Sequence, residues 1–145
     1  MTLNRLLVPS DFSASSDHAL QIAASLARGA QTHIMLLHVA QSPAAFVAPY
    51  PMPVVDLPPS VEHVERESQH MLERQAARWI PADVPWSAKV VMGVAEQEIA
   101  AEVVRGGHDL VLMGTHGRTG LRHLLLGSVA EHVLRHCAVP VLVTR

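Results

Sequence analysis

The chain has 145 residues, 49% of them apolar and 17% charged, with a net charge of −2. That is the length of one domain with ample apolar content, which excludes intrinsic disorder. No apolar run reaches the ~18–20 residues of a membrane span, a single cysteine excludes an intramolecular disulfide framework, and no basic block marks a nucleic-acid surface.

Residues 3–8 (LNRLLV) form a short apolar run that Pro9 closes, which predicts a buried strand. A serine cluster at 13–16 supplies N-caps, and apolar positions at Ala19, Ile22, Ala23, Leu26 and Ala30 predict a helix over 13–28, stopped by Gly29. Residues 32–39 (THIMLLHV) predict the second strand. Six prolines crowd residues 41–59, which no regular element survives; the segment is expected to be a mobile lid. Ser60 caps a second helix that ends at Pro81. Strands are predicted at 87–92, 110–113 and 139–144, and helices at 96–105 and 128–136, with Gly106-Gly107 stopping the third helix.

Strands alternating with helices pair in parallel through right-handed crossovers. Apolar runs without alternation place helices on both sheet faces. The predicted fold is a single-domain, doubly wound α/β sheet of five parallel strands spanning 1–145.

Ligands of such sheets bind beyond the carboxyl ends of the strands, where strand order reverses. Special residues follow two strands: Pro9-Ser10-Asp11-Phe12-Ser13 after the first, and Gly114-Thr115-His116-Gly117-Arg118 with Gly127-Ser128-Val129 after the fourth. Gly114 and Gly117 would let backbone approach a ligand in torsions closed to other residues. Gly127 and Ser128 open a helix, whose free N–H groups favour an anion. Arg118 adds a bidentate cationic donor, and His116 is placed to reach phosphate. The plainer alternative is that these glycines make tight turns and Ser128 is an N-cap. A P-loop is excluded, because the only lysine, Lys89, lies inside a strand. A GxGxxG fingerprint and a GxSxG elbow are also absent.

The spacing G-x2-G-x9-G-S over Gly114, Gly117, Gly127 and Ser128 resembles the ATP-binding signature of the universal stress protein family. Residues 6–13, 109–120 and 127–145 resemble that family's opening strand and closing half. The resemblance implies a sheet order of 3-2-1-4-5, of the adenine nucleotide α-hydrolase-like kind. It also implies a nucleotide site in which Pro9 and Asp11 line the ribose and phosphate side. Val39 would meet adenine through its backbone, Met113 and Gly114 would border ribose, and Gly117, Arg118, Gly127, Ser128 and Val129 would hold the phosphates. Mg2+ would bridge the phosphates near Asp11. Ser10 stands where the family often has an apolar residue, a departure expected to matter little.

His132 and His136 have a zinc-compatible i,i+4 spacing but read as a solvated helix face. His123 reads as exposed, His33 and His38 as contacts at the ends of a strand, and Cys137 as packing. In the order 3-2-1-4-5 the last strand is an edge. Its apolar Val139, Val141, Leu142 and Val143 predict a two-fold homodimer through antiparallel pairing. The expected function is an ATP-binding regulatory protein of the cytoplasm with slow hydrolysis at most. The alternatives are an interaction protein acting through its dimer surface, and a nucleotide-cleaving enzyme on the same sheet.

Overall fold

A computed structural model of the chain describes residues 3–41, 59–115 and 126–145. The predicted lid, together with His116, Gly117, Arg118 and His123, lies outside the described residues. Among the described residues nine elements alternate as expected: β1 (Arg5–Pro9), α1 (Ala14–Ala27), β2 (His33–Ala40), α2 (Val61–Trp79), β3 (Trp86–Met92), α3 (Ala95–Gly106), β4 (Leu110–Gly114), α4 (Ser128–His136) and β5 (Val141–Thr144). The strands form one parallel sheet in the order β3-β2-β1-β4-β5. Among the described residues, no helix is long and apolar enough to cross a membrane.

Both sheet faces are covered, which is why the strands read as unbroken apolar runs. Leu6, Val8, Ile34, Leu36 and Leu112 pack under α1 and α2. Leu7, Leu37, Val111 and Met113 pack under α3 and α4. Alanines at 19, 23, 24 and 27 make the buried face of α1 shallow, so its backbone lies close to the sheet. Ser13 and Ser60 cap α1 and α2 by accepting the N–H of Ser16 and His63. Gly107, at φ 60°, ends α3 in the left-handed conformation that glycine favours.

All five strands are shifted from expectation by one or two residues at an end, and two of these shifts have a clear physical reason. The last strand begins at Val141, because Val139 precedes Pro140 and packs on the core under α3 and α4. The first runs to Pro9, which pairs with Leu37 of β2. The amide of Ser10 donates to β2 and the carbonyl of Arg5 accepts from Asp109 beside β4, so odd-numbered residues of β1 face β4. Pro9 has no N–H to offer there. The β1–β4 pairing accordingly stops at Leu7 opposite Val111, two residues before β1 ends. A cleft opens at the point where strand order reverses.

The lone lysine is spent inside the fold. Lys89 Nζ donates to Glu102 Oε2 of α3 at 2.8 Å, and Arg105 approaches the same oxygen at 3.6 Å. Glu102 is buried, and so is His108, whose Nε2 lies 3.8 Å from Glu102 Oε1. Gly106 makes room for that imidazole, since a Cβ there would lie 2.7 Å from His108 Cδ2. Burial holds the His108 pKa below its ordinary value, against the pull of the Glu102 carboxylate. Burial would raise Glu102, but the hydrogen bond and charge of Lys89 outweigh it and hold that carboxyl low. The unfolded chain therefore binds protons at His108 that the folded chain refuses. This contribution to stability is complete above pH 6.5 and is lost progressively below it. Thermal melts from pH 7.5 to about 5.5 are expected to fall more steeply for the wild type than for His108→Gln; parallel slopes would contradict the assignment.

Candidate functional site

The cleft between β1 and β4 encloses a cavity of about 190 Å³ at the carboxyl ends of the strands. Pro9, Ser10 and Asp11 border it from β1, Val39 from β2, and Met113 and Gly114 from β4. Gly127, Ser128 and Val129 close the far side at the start of α4. Nine of the positions singled out in the sequence thus meet at one place. The other three, His116, Gly117 and Arg118, are not among the described residues. Thr115, within the predicted segment but given no role there, also lines the cavity, as do Ala95 and Ile99, which were not anticipated. Ala95 opens the helix after β3, and only the sheet order reveals that this helix reaches the cleft.

The floor is built from main-chain bonds. The Thr115 N–H donates to Thr144 O at 2.7 Å, and Thr115 O accepts from Gly127 N at 2.6 Å. The start of α4 is thereby tied to the ends of β4 and β5. Gly127 is the N-cap of α4, and no side chain of the described residues caps the helix. Ser128 is therefore the first helical residue, and the alternative that it serves as the cap does not hold. The amides of the first turn have no intrahelical acceptor, and they lie where the dipole is positive. Residues 128, 129 and 130 all border the cavity.

Asp11 faces this turn across the cleft. Its Oδ1 accepts from Ser13 N–H at 3.1 Å and from the Ser13 hydroxyl at 2.5 Å. Its Oδ2 is buried and has no hydrogen-bond partner among the described residues. Asp11 borders the cavity, and its carboxylate charge suits a cation or a hydroxyl donor bound beside it. Anion-seeking amides at the start of α4 and an acidic residue beyond β1 together match a phosphorylated, hydroxyl-bearing ligand.

The match to the universal stress protein family covers residues 2–145. The chain belongs to the universal stress protein family. Universal stress protein MJ0577 of Methanocaldococcus jannaschii is 30% identical over 97% of this chain and 94% of its own length. A solved structure of MJ0577 superimposes with a TM-score of 0.76, at 27% identity over 99% of this chain and 96% of that one. Two more distant members share the fold. A universal stress protein in complex with cAMP has a TM-score of 0.65 at 18% identity, covering 100% of this chain and 99% of that one. An Arabidopsis thaliana family member with AMP bound has a TM-score of 0.61 at 18% identity, covering 97% and 90%.

The structure revises the reason for one of the family's glycines. Gly114 was expected to need a torsion forbidden to other residues. The described glycines with positive φ are Gly29 and Gly107, and Gly127 is extended at φ −73°. Gly114 is required by close approach instead, since a Cβ there would lie 2.7 Å from Ser15 Cβ and 2.9 Å from the Ser15 carbonyl carbon. It lets the N-terminus of α1 settle on the end of β4.

The remaining histidines are accounted for locally. His33 Nε2 meets the Ser87 hydroxyl across β2 and β3 at 2.8 Å. The exposed His132 and His136 rings stack at 4.2 Å. No group of three metal-ligating side chains forms among the described residues. Cys137 is half-buried against the core under α4. Gly114→Ala is expected to cost about 1–3 kcal/mol of stability in urea denaturation, the usual cost of overpacking. An unchanged midpoint would show that α1 does not need the close approach.

Proposed function

We propose that this universal stress protein binds an adenine nucleotide, ATP with Mg2+, in the β1–β4 cleft, and acts as a cytoplasmic regulatory homodimer in the stress response. The uncapped first turn of α4 carries the reading. A triphosphate tail would accept hydrogen bonds from amides that no side chain of the described residues occupies. Gly117, Arg118, Gly127, Ser128 and Val129 would hold the phosphates, with His116 within reach. Asp11 would meet ribose or the cation, and Val39 adenine. The AMP-bound and cAMP-bound family members support an adenine nucleotide in this fold.

Turnover would be slow at best. Asp11 is the only carboxylate among the described residues lining the cavity, and Ser13 occupies one of its oxygens. No lining imidazole or lysine among them could serve as a base for water.

The edge strand supports the dimer. Thr115 N–H and Val111 N–H donate to the carbonyls of Thr144 and Pro140, so even-numbered residues of β5 bond to β4. Val141 and Val143 therefore turn their own N–H and C=O to the open edge. With Leu142 they are half-exposed, and no charge guards the strand. A second copy pairing antiparallel would satisfy these groups.

Two measurements test the reading. Calorimetry with Mg-ATP is expected to show binding by the wild type and at least a tenfold loss in Gly127→Asp, whose carboxylate would cap the amides itself. The same variant should fold as stably as the wild type or better by a few tenths of a kcal/mol. Equal affinity would remove the claim. In light scattering, Leu142→Asp should give monomers. Val143→Pro, which removes an open-edge donor and leaves the β4 ladder intact, should do the same; an unchanged dimer would place the interface elsewhere.

A further inference from the structure

Beside the cleft, a buried chain of polar side chains runs from α2 to the loop that carries Asp11. Ser10, Ser16 and Gln75 are 5%, 3% and 8% exposed. Side chains this buried are ordinarily apolar, and a methionine would fill the place of Gln75. What the polar chain adds is direction. Asp17 Oδ1 can only accept, so the amide nitrogen of Gln75 faces it, at 2.7 Å. Gln75 Oε1 is then turned to Ser10, whose hydroxyl must donate to it at 2.7 Å. The Ser16 hydroxyl spends its proton on Ser13 O at 2.8 Å. Ser10 Oγ is left with lone pairs, and these accept the Phe12 N–H at 3.1 Å.

Phe12 is the one described residue other than glycine with positive φ, at 65°. A bulky side chain adopts that conformation only where its surroundings impose it. Ser10 Oγ holds the Phe12 amide from one side. From the other, His38 Nδ1–H donates to Ser10 O at 2.7 Å, and its ring stacks on Phe12 at 4.4 Å between centroids. The two peptides that flank Asp11 are thus each held, one by its Ser10 carbonyl and the other by its Phe12 N–H. Held this way, Asp11 borders the cavity while its Oδ2 stays shielded from solvent.

We infer that Gln75, acting through Ser10, is a positioning residue for Asp11, so that α2 sets how well the cleft holds its ligand. The inference rests on the nucleotide reading for its consequence but not for its mechanics. Ser10, expected to be a tolerated departure, becomes the link between α2 and the site. Sequence reasoning could not pair two residues 65 positions apart.

Gln75→Met separates mechanics from consequence. In the nucleotide-free protein, hydrogen exchange at the Phe12 and Ser13 amides should quicken about tenfold, while Leu20 and Ala23 inside α1 stay protected. Mg-ATP affinity should fall about tenfold in the wild-type background and not at all further in Asp11→Ala. Gln75→Glu alone would set two carboxylates together and should mimic Gln75→Met. Combined with Asp17→Asn it restores the donor–acceptor pairs with residue 17 and Ser10, giving up only the long contact to Ser16 Oγ, and should recover the affinity. Should Gln75→Met fail to fold, Ser10→Ala breaks the same link and is read in the same ways. Unchanged exchange at Phe12 and Ser13 overturns the inference, as does an equal affinity loss in the Asp11→Ala background. Faster exchange in a protein that binds no ATP upholds the positioning role and sinks the nucleotide reading alone.

Discussion

The start of α4 sets what the rest of the molecule can do. Its first-turn amides have no capping side chain among the described residues, and they are carried to the cleft by the backbone bonds of Thr115 to Thr144 and Gly127. That arrangement needs no lysine, and the single lysine is committed to Glu102 on another part of the sheet. The opposite wall exists because Pro9 cannot extend the β1–β4 ladder. A missing donor on one strand and unused donors on one helix together create a concave, polarised place at the reversal of strand order.

The two sheet faces support that place differently. On the α1 and α2 face, Ser10, Ser16 and Gln75 form a directed polar chain under the Asp11 loop. Gly114 lets α1 come down against β4 beside it. On the α3 and α4 face the polar groups near the core are Glu102 and His108, away from the cavity lining. Their protonation bears on how tightly the sheet is held.

Most of the architecture was legible in the sequence because it is local. Unbroken apolar runs of strand length, serines ahead of periodic helices and glycines after them state where elements begin and end. Positions 9, 11, 114, 127 and 128 could be assigned to one cleft because strand ends and a strand order place them there. Long-range contacts were not legible. The need for glycine at 114 comes from Ser15, a hundred residues earlier and on another element. The pairing of Lys89 with Glu102, and the shelter Gly106 gives His108, follow from how α3 lies over the sheet. Ser10 looked like a neutral exchange because its partner, Gln75, reads in sequence as one more polar helix residue.

The most direct test is an amide NMR titration of the protein with Mg-ATP. The largest shifts are expected at Ser128, Val129 and Ala130, with a second group at Asp11 and Phe12. Saturating ATP that leaves the first-turn amides of α4 unmoved, or moves only residues away from the β1–β4 cleft, would contradict the claim that main-chain donors there receive the ligand.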